Sequence, residues 1–155
     1  MGSTGQEIMD DIPEGFYPLA TLGDVVERLA PLYFREQPDG LVTLGVRLAK
    51  HHCNPRGDCH GGTWATLADV LMGLNAGLGT GLSGPTISMS IDFMGAAVEG
   101  QWVEGHGRIL RWTSNFAFAE CHFMVQDKVA LRVSGVFKRK YPPYWTLADL
   151  RAGSP

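Results

Sequence analysis

The residues able to do chemistry cluster around one acid. Asp69 is the only formal charge in the 33 residues from Cys59 to Ile91. No Lys or Arg lies within ten residues on either side of it. An ionised carboxylate in such surroundings is costly unless it is paired or hydrogen-bonded, and Asp is a poor residue for a helix interior. The segment before it reads Asn54-Pro55-Arg56-Gly57-Asp58-Cys59-His60-Gly61-Gly62. Two glycines opening a helix let a ligand approach the backbone and leave N–H groups aimed at it. Those groups carry the positive end of the helix dipole and suit a carbonyl oxygen gaining negative charge. His60 and Asn54 add polar groups on the same loop. Loop donors beside a buried acid are what hydrolysis of an activated carbonyl requires.

Simpler roles compete with that one. Asp69 could anchor the core by pairing with Arg111 or Arg132. The cluster His51-His52-Cys53 with Cys59-His60 invites a zinc reading. Its Cys–Cys gap is wider than the usual two to four residues, however, and no second ligand pair follows, so no metal is expected. A Cys–His nucleophile would need adjacent residues to reach one substrate, and Cys53 and Cys59 read better as small packing residues.

These residues need elements to hold them. Residues 1–20 read as a mobile polar lead-in ending at Pro18. Thr21 can cap a helix over roughly 22–33, with Leu22, Val25, Val26, Leu29 and Leu32 apolar. That helix either covers the core or lies as a lid over a pocket. Pro38-Asp39-Gly40 is a turn, and Leu41 to Lys50 alternates as a half-buried strand. A polar loop, His51 to Gly62, leads into a helix from Thr63 to roughly Gly79. It is apolar nearly all round and is therefore expected to be buried, with Gly77, Gly79 and Gly81 ending it. Thr86–Met94, Trp102–Leu110, Asn115–Val125 and Val129–Lys138 are rich in β-branched and aromatic residues and read as strands. The last three are joined by short links that favour antiparallel neighbours. The class is α+β, one buried helix wrapped by an antiparallel sheet. In the tail, Tyr144-Trp145 with Leu147 and Leu150 could cap a partner surface.

Composition bounds the rest. The chain has 155 residues, 19% of them charged, 45% hydrophobic and 20 of them glycine, with a net charge of −3. That size fits one domain spanning 1–155, with a core over about 41–139, a helical lead-in over about 21–34 and a tail over 140–155. The acidic balance argues against an electrostatic nucleic-acid footprint. The 22 uncharged residues from Val70 to Ile91 include five glycines and a proline, so they do not read as a membrane span. An odd count of three cysteines and acids at Glu7, Asp10, Asp11 and Glu14 point to a reducing, cytoplasmic setting without a signal peptide.

At Asn54, His60-Gly61-Gly62 and Asp69 the sequence resembles the hotdog-fold acyl-CoA thioesterases, in the branch typified by the phenylacetic-acid-degradation thioesterase. The family pattern is Asn, five residues, His-Gly-Gly, then Asp nine residues after the His. Thr86 stands where the family has a Ser or Thr facing the acid, and Ile91-Asp92-Phe93-Met94-Gly95-Ala96-Ala97 follows where many members have a motif with Pro. The similarity covers roughly residues 41–139. It implies the hotdog fold and thioester hydrolysis in a site shared by two subunits. Gly61 would polarise the thioester carbonyl through its N–H. Asp69 from the partner subunit would act as general base or nucleophile. Asn54 and Thr86 would position water or the carboxylate, His60 would orient the loop and the thioester, and Gly62 would serve the close approach. The turn Trp112-Thr113-Ser114-Asn115, with Arg108 and Arg111, would lie near the nucleotide end of coenzyme A, so Arg111, Thr113 and Ser114 are candidate substrate contacts. Coenzyme A would be half of the substrate, no cofactor would be needed, and the assembly would be a homodimer or a dimer of dimers. The alternatives are an acyl-thioester hydratase or dehydratase on the same fold, and a module that binds acyl-CoA without cleaving it.

Overall fold

In the computed structural model, residues 11–20 and 22–151 are described. Thr21, the expected helix cap, lies outside them. The elements run β1 (Tyr17–Pro18), α1 (Asp24–Glu27), β2 (Tyr33–Glu36), β3 (Val42–Arg47), a 3-10 turn (Lys50–His52), α2 (Gly61–Thr80), β4 (Thr86–Phe93), β5 (Trp102–Trp112), β6 (Phe116–Val125), β7 (Lys128–Lys138) and α3 (Leu147–Leu150). The strands form one antiparallel seven-stranded sheet in the order β1-β2-β3-β5-β6-β7-β4. This curved, unclosed sheet with one long helix packed against it is the hotdog architecture expected from the sequence.

The helix and sheet approach closely because the facing sheet positions are small. A Cβ on Gly105 would lie 2.4 Å from the Phe123 ring and 2.9 Å from Leu71, and one on Gly135 would lie 2.9 Å from Met72. Leu67, Leu71 and Met72 of α2 are thereby sealed against Phe123, Leu131 and Val133. Burying one such side chain contributes about 1.5–3 kcal/mol. Asn75 fastens α2 to β3: its Oδ1 accepts from Val42 N at 2.9 Å and its Nδ2 donates to Val42 O at 3.1 Å. Gly81, at φ 78°, ends the helix and donates to Gly77 O. Gly77 and Gly79 lie inside α2 and do not end it.

Several expectations change. The helix expected over 22–33 is four residues long, and Tyr33–Glu36 is a strand. Pro31 stops helical continuation, and Leu29 and Leu32 lie in the link between α1 and β2. The lead-in does not run free to residue 20, since Phe16 packs edge-on against Trp102 and Tyr17–Pro18 pairs with β2. β3 is buried on both faces, with Trp102 and Phe16 covering Gly45 from the far side. The tail lies on its own chain: Trp145 rests over Gly77, Leu150 is fully buried and its carbonyl accepts from Ala20 N. Most importantly, the charge-poor stretch is not all buried. Half of α2's residues stay accessible, and β4 is an exposed edge strand. Among the described residues, no helix is long and apolar enough to cross a membrane.

Candidate active site

The N-terminus of α2 is a prepared donor. His60 is its N-cap, and the His60 Nδ1 accepts from Gly62 N at 2.8 Å, which satisfies one of the exposed first-turn groups. The Thr63 hydroxyl ties the same turn to His52 O at 2.9 Å, and Trp64 N donates to His60 O. Gly61 N–H finds no acceptor among the described residues. It sits at the positive end of a twenty-residue helix. The Phe93 ring, at the far end of β4, lies 3.6 Å from where a Gly61 Cβ would be.

Asp69 lies two turns further along. Eight residues at 1.5 Å each put it about 12 Å from Gly61 along the axis. Thr86, the first residue of β4, donates its hydroxyl to Asp69 Oδ1 at 2.5 Å. The carboxylate is half-buried, and Thr86 is exposed. The core-anchor alternative fails: Arg132 pairs with Asp92 at 2.8 Å, and Arg111 is exposed, with no ion pair to Asp69. Asp69 and Thr86 open onto a cavity of about 550 Å³ whose other walls include Val70, Gly73, Phe137 and Trp145. Leu22 and Val26, flanking and within α1, also line it while packing on the core, so this short helix both covers the core and borders the cavity.

The other candidates separate. Asn54 shapes its own loop, its Oδ1 accepting from Arg56 N at 2.9 Å and Asp58 N at 3.3 Å. The Thr113 hydroxyl accepts from Asn115 N and Phe116 N within the β5–β6 turn. That turn, with Ser114, lies beside the C-terminal end of α2, where Arg139 bridges it to the helix. Arg139 donates from Nη2 to Thr80 O at 2.7 Å, from Nε to Thr80 Oγ1 at 3.1 Å, and from Nη1 to Thr113 O. Thr80 is eleven residues beyond Asp69, about 17 Å along the helix. Sequence reasoning missed Arg139; its only signal was its place in the run Lys138-Arg139-Lys140.

The His/Cys loop is occupied structurally. His52 is fully buried, with Nδ1 accepting from Ala49 N at 2.9 Å and Nε2 donating to Leu29 O at 2.7 Å. Burial pushes the Cys59 thiol up to about 12, which leaves it protonated at neutral pH and a poor nucleophile.

Residues 56–131 match the family model described as "Thioesterase superfamily". A Pseudomonas aeruginosa relative, "Putative esterase PA0474", is 32% identical over 131 residues, covering 83% of this chain and 98% of that protein. The structure of a thioesterase protein with coenzyme A from Streptococcus pneumoniae is similar, at a TM-score of 0.70 and 19% identity, over 76% of this chain and 91% of that one. The PaaI protein from the phenylacetic acid degradation operon of E. coli is similar at a TM-score of 0.70 and 16% identity, over 77% and 87%. With the fold and the family match agreeing, the chain belongs to the thioesterase superfamily.

Proposed function

We propose that this protein hydrolyses an acyl-CoA thioester in a site completed by a second copy of the chain. One observation carries the reading: α2 holds a free donor at Gly61 and a hydroxyl-braced acid at Asp69, about 12 Å apart, too far to act on one carbonyl. Each chain therefore has two half-sites. β4 supports a way to join them. It is an edge strand with no charge before Asp92, and an unblunted edge is a template for pairing. A two-fold axis through its middle sets the Thr86 end of one copy against the Phe93 end of the other. Thr86 marks Asp69 and Phe93 marks Gly61, so Asp69 of one subunit meets Gly61 of the partner subunit.

In that site the Gly61 N–H donates to the thioester oxygen as it gains charge. Asp69, held by Thr86, takes a proton from water as the water oxygen bonds to the carbonyl carbon. The C–S bond then breaks, and the proton passes to the departing thiolate, leaving free acid and coenzyme A. If Asp69 instead attacks directly, the thiolate leaves and a mixed anhydride forms; water attacking its Asp69 carbonyl then places label in Asp69 itself after one turnover in ¹⁸O-water. The coenzyme A in the Streptococcus pneumoniae structure supports coenzyme A as the thiol half. Hydration chemistry fits less well, because the His60 Nδ1 is taken by Gly62 N.

Two defective variants test the shared site. Asp69→Ala removes the base, and turnover falls by about 10²–10⁴. Gly61→Pro removes only the N–H, at a first-turn position that tolerates proline, after a His60 already at ψ 140°, and costs about 10²–10³. Refolded together, the two variants recover about a quarter of wild-type activity, since half the dimers are mixed and each mixed dimer has one intact site. No recovery on mixing overturns the shared site, and full activity of Asp69→Ala overturns the role of Asp69.

A further inference from the structure

The cavity beside Asp69 has features that catalysis alone does not explain. Its volume of about 550 Å³ lies within the range of roughly 300–1,000 Å³ for small-molecule sites. Among the described residues, Asp69 is the only one lining it that is charged at neutral pH. The floor is Gly73, one turn beyond Asp69 on α2. A glycine inside a helix is less stable than alanine there, so something must favour it. Backbone strain does not, because Gly73 is not among the residues with positive φ. Crowding does not either: a Cβ at Gly73 would meet only the Phe137 ring, at an ordinary 3.8 Å. What the missing side chain leaves is open cavity beside the acid.

The opposite wall comes from the tail. A Cβ on Gly77 would lie 3.0 Å from the Trp145 ring and 3.2 Å from Pro143, so Trp145 packs this close to α2 only because Gly77 is bare. The strand-like link of Ser83 to Tyr141, with both backbone N–H groups donating across it, holds the start of this wall in place. Leu22 and Val26 close the third side.

We infer that this cavity receives the acyl half of the substrate and that Gly73 and Trp145 gauge it, admitting an uncharged hydrocarbon chain longer than acetyl and rejecting acyl groups that end in a carboxylate. The nearest cation, Lys140, stands exposed on the outer side of this wall with its Nζ 5.1 Å from the Tyr141 ring centre, so a carboxylate carried inside would be desolvated beside Asp69, whereas each methylene is favoured by leaving water. This inference rests on the thioesterase reading.

The test compares kcat/KM for acetyl-, octanoyl- and glutaryl-CoA. The wild type prefers octanoyl over acetyl at least tenfold and takes glutaryl no better than acetyl. Gly73→Val fills the floor and Gly77→Val lifts Trp145, and each lowers the octanoyl-to-acetyl ratio at least tenfold. Gly73→Ala, which favours the helix, shifts the ratio in the same direction by less, so a folding defect is not mistaken for lost fit. An unchanged ratio in all three variants overturns the inference, as does glutaryl-CoA cleaved as fast as octanoyl-CoA. If the wild type releases no thiol from any of them, the thioesterase reading has failed, and calorimetric affinities decide the cavity separately. Octanoyl-CoA binding at least tenfold tighter than acetyl-CoA, with that preference lost in Gly73→Val, supports it; equal affinities overturn it.

Discussion

Thr86 is the residue whose contribution is easiest to isolate. Among the described residues its hydroxyl is the one donor to the Asp69 carboxylate, and it lies on an exposed strand where a change of side chain disturbs little packing. A hydrogen bond to a charged group contributes about 1.5–3 kcal/mol, roughly ten- to a hundredfold in rate if it aims the reacting oxygen. Thr86→Val keeps the shape and loses the bond, so kcat falls by that factor while the melting temperature holds. Thr86→Ser keeps the bond and stays near wild type. A valine variant with unchanged kcat removes Thr86 from the site.

At the scale of elements, His52 holds the loop before α2. Three free cysteines are present, two of them buried, and the buried imidazole fastens the 3-10 turn to the segment after α1. Burial lowers the His52 pKa, with the Leu29 carbonyl opposing that shift and His51 reinforcing it. The sign follows from linkage. The unfolded chain binds a proton below about 6.5, and the folded chain resists it. Stability is therefore whole above 6.5 and declines as pH falls from there towards the depressed folded value. His106, lowered chiefly by burial, acts in the same direction. The melting temperature drops between pH 7 and 5, and His52→Gln flattens the decline while lowering the plateau through lost hydrogen bonds. A melting temperature independent of pH over this range excludes the proton-linked role.

For the whole molecule, the decisive surface is β4. Its eight residues form the free edge next to β7, and Ile87 and Phe93 are more than half exposed on it. Ser90→Lys places a charge near the middle of the edge, where a two-fold axis brings it close to its own copy; like charges meeting across strands are destabilising. Light scattering then shows a weakened dimer, and specific activity falls on dilution while the wild type keeps its own. Full activity from a single chain sinks the shared site. By contrast, Leu71→Ala, at a side chain with no exposure, costs about 2–5 kcal/mol and acts through folding, not assembly.

The α+β class and the order of the elements from β3 to β7 were legible in sequence because strand periodicity, turn chemistry and helix pattern are local. The charge void was legible too, but its meaning was not. It suggested burial within one chain, whereas the fold leaves β4 and one face of α2 open, because exposure depends on which strand ends the sheet and no local pattern states that. The strand at Tyr33–Glu36, the docking of Trp145 on Gly77 and the grip of Arg139 on Thr80 join positions far apart in sequence. The separation of Gly61 from Asp69 has the opposite character: helix rise alone sets it, and tertiary structure adds that Phe93 and Thr86 mark the two ends of one exposed strand. Sequence determined the spacing of Gly61 and Asp69 along one helix; only the packing of helix against sheet decided where each of them faces and what room lies beside the acid.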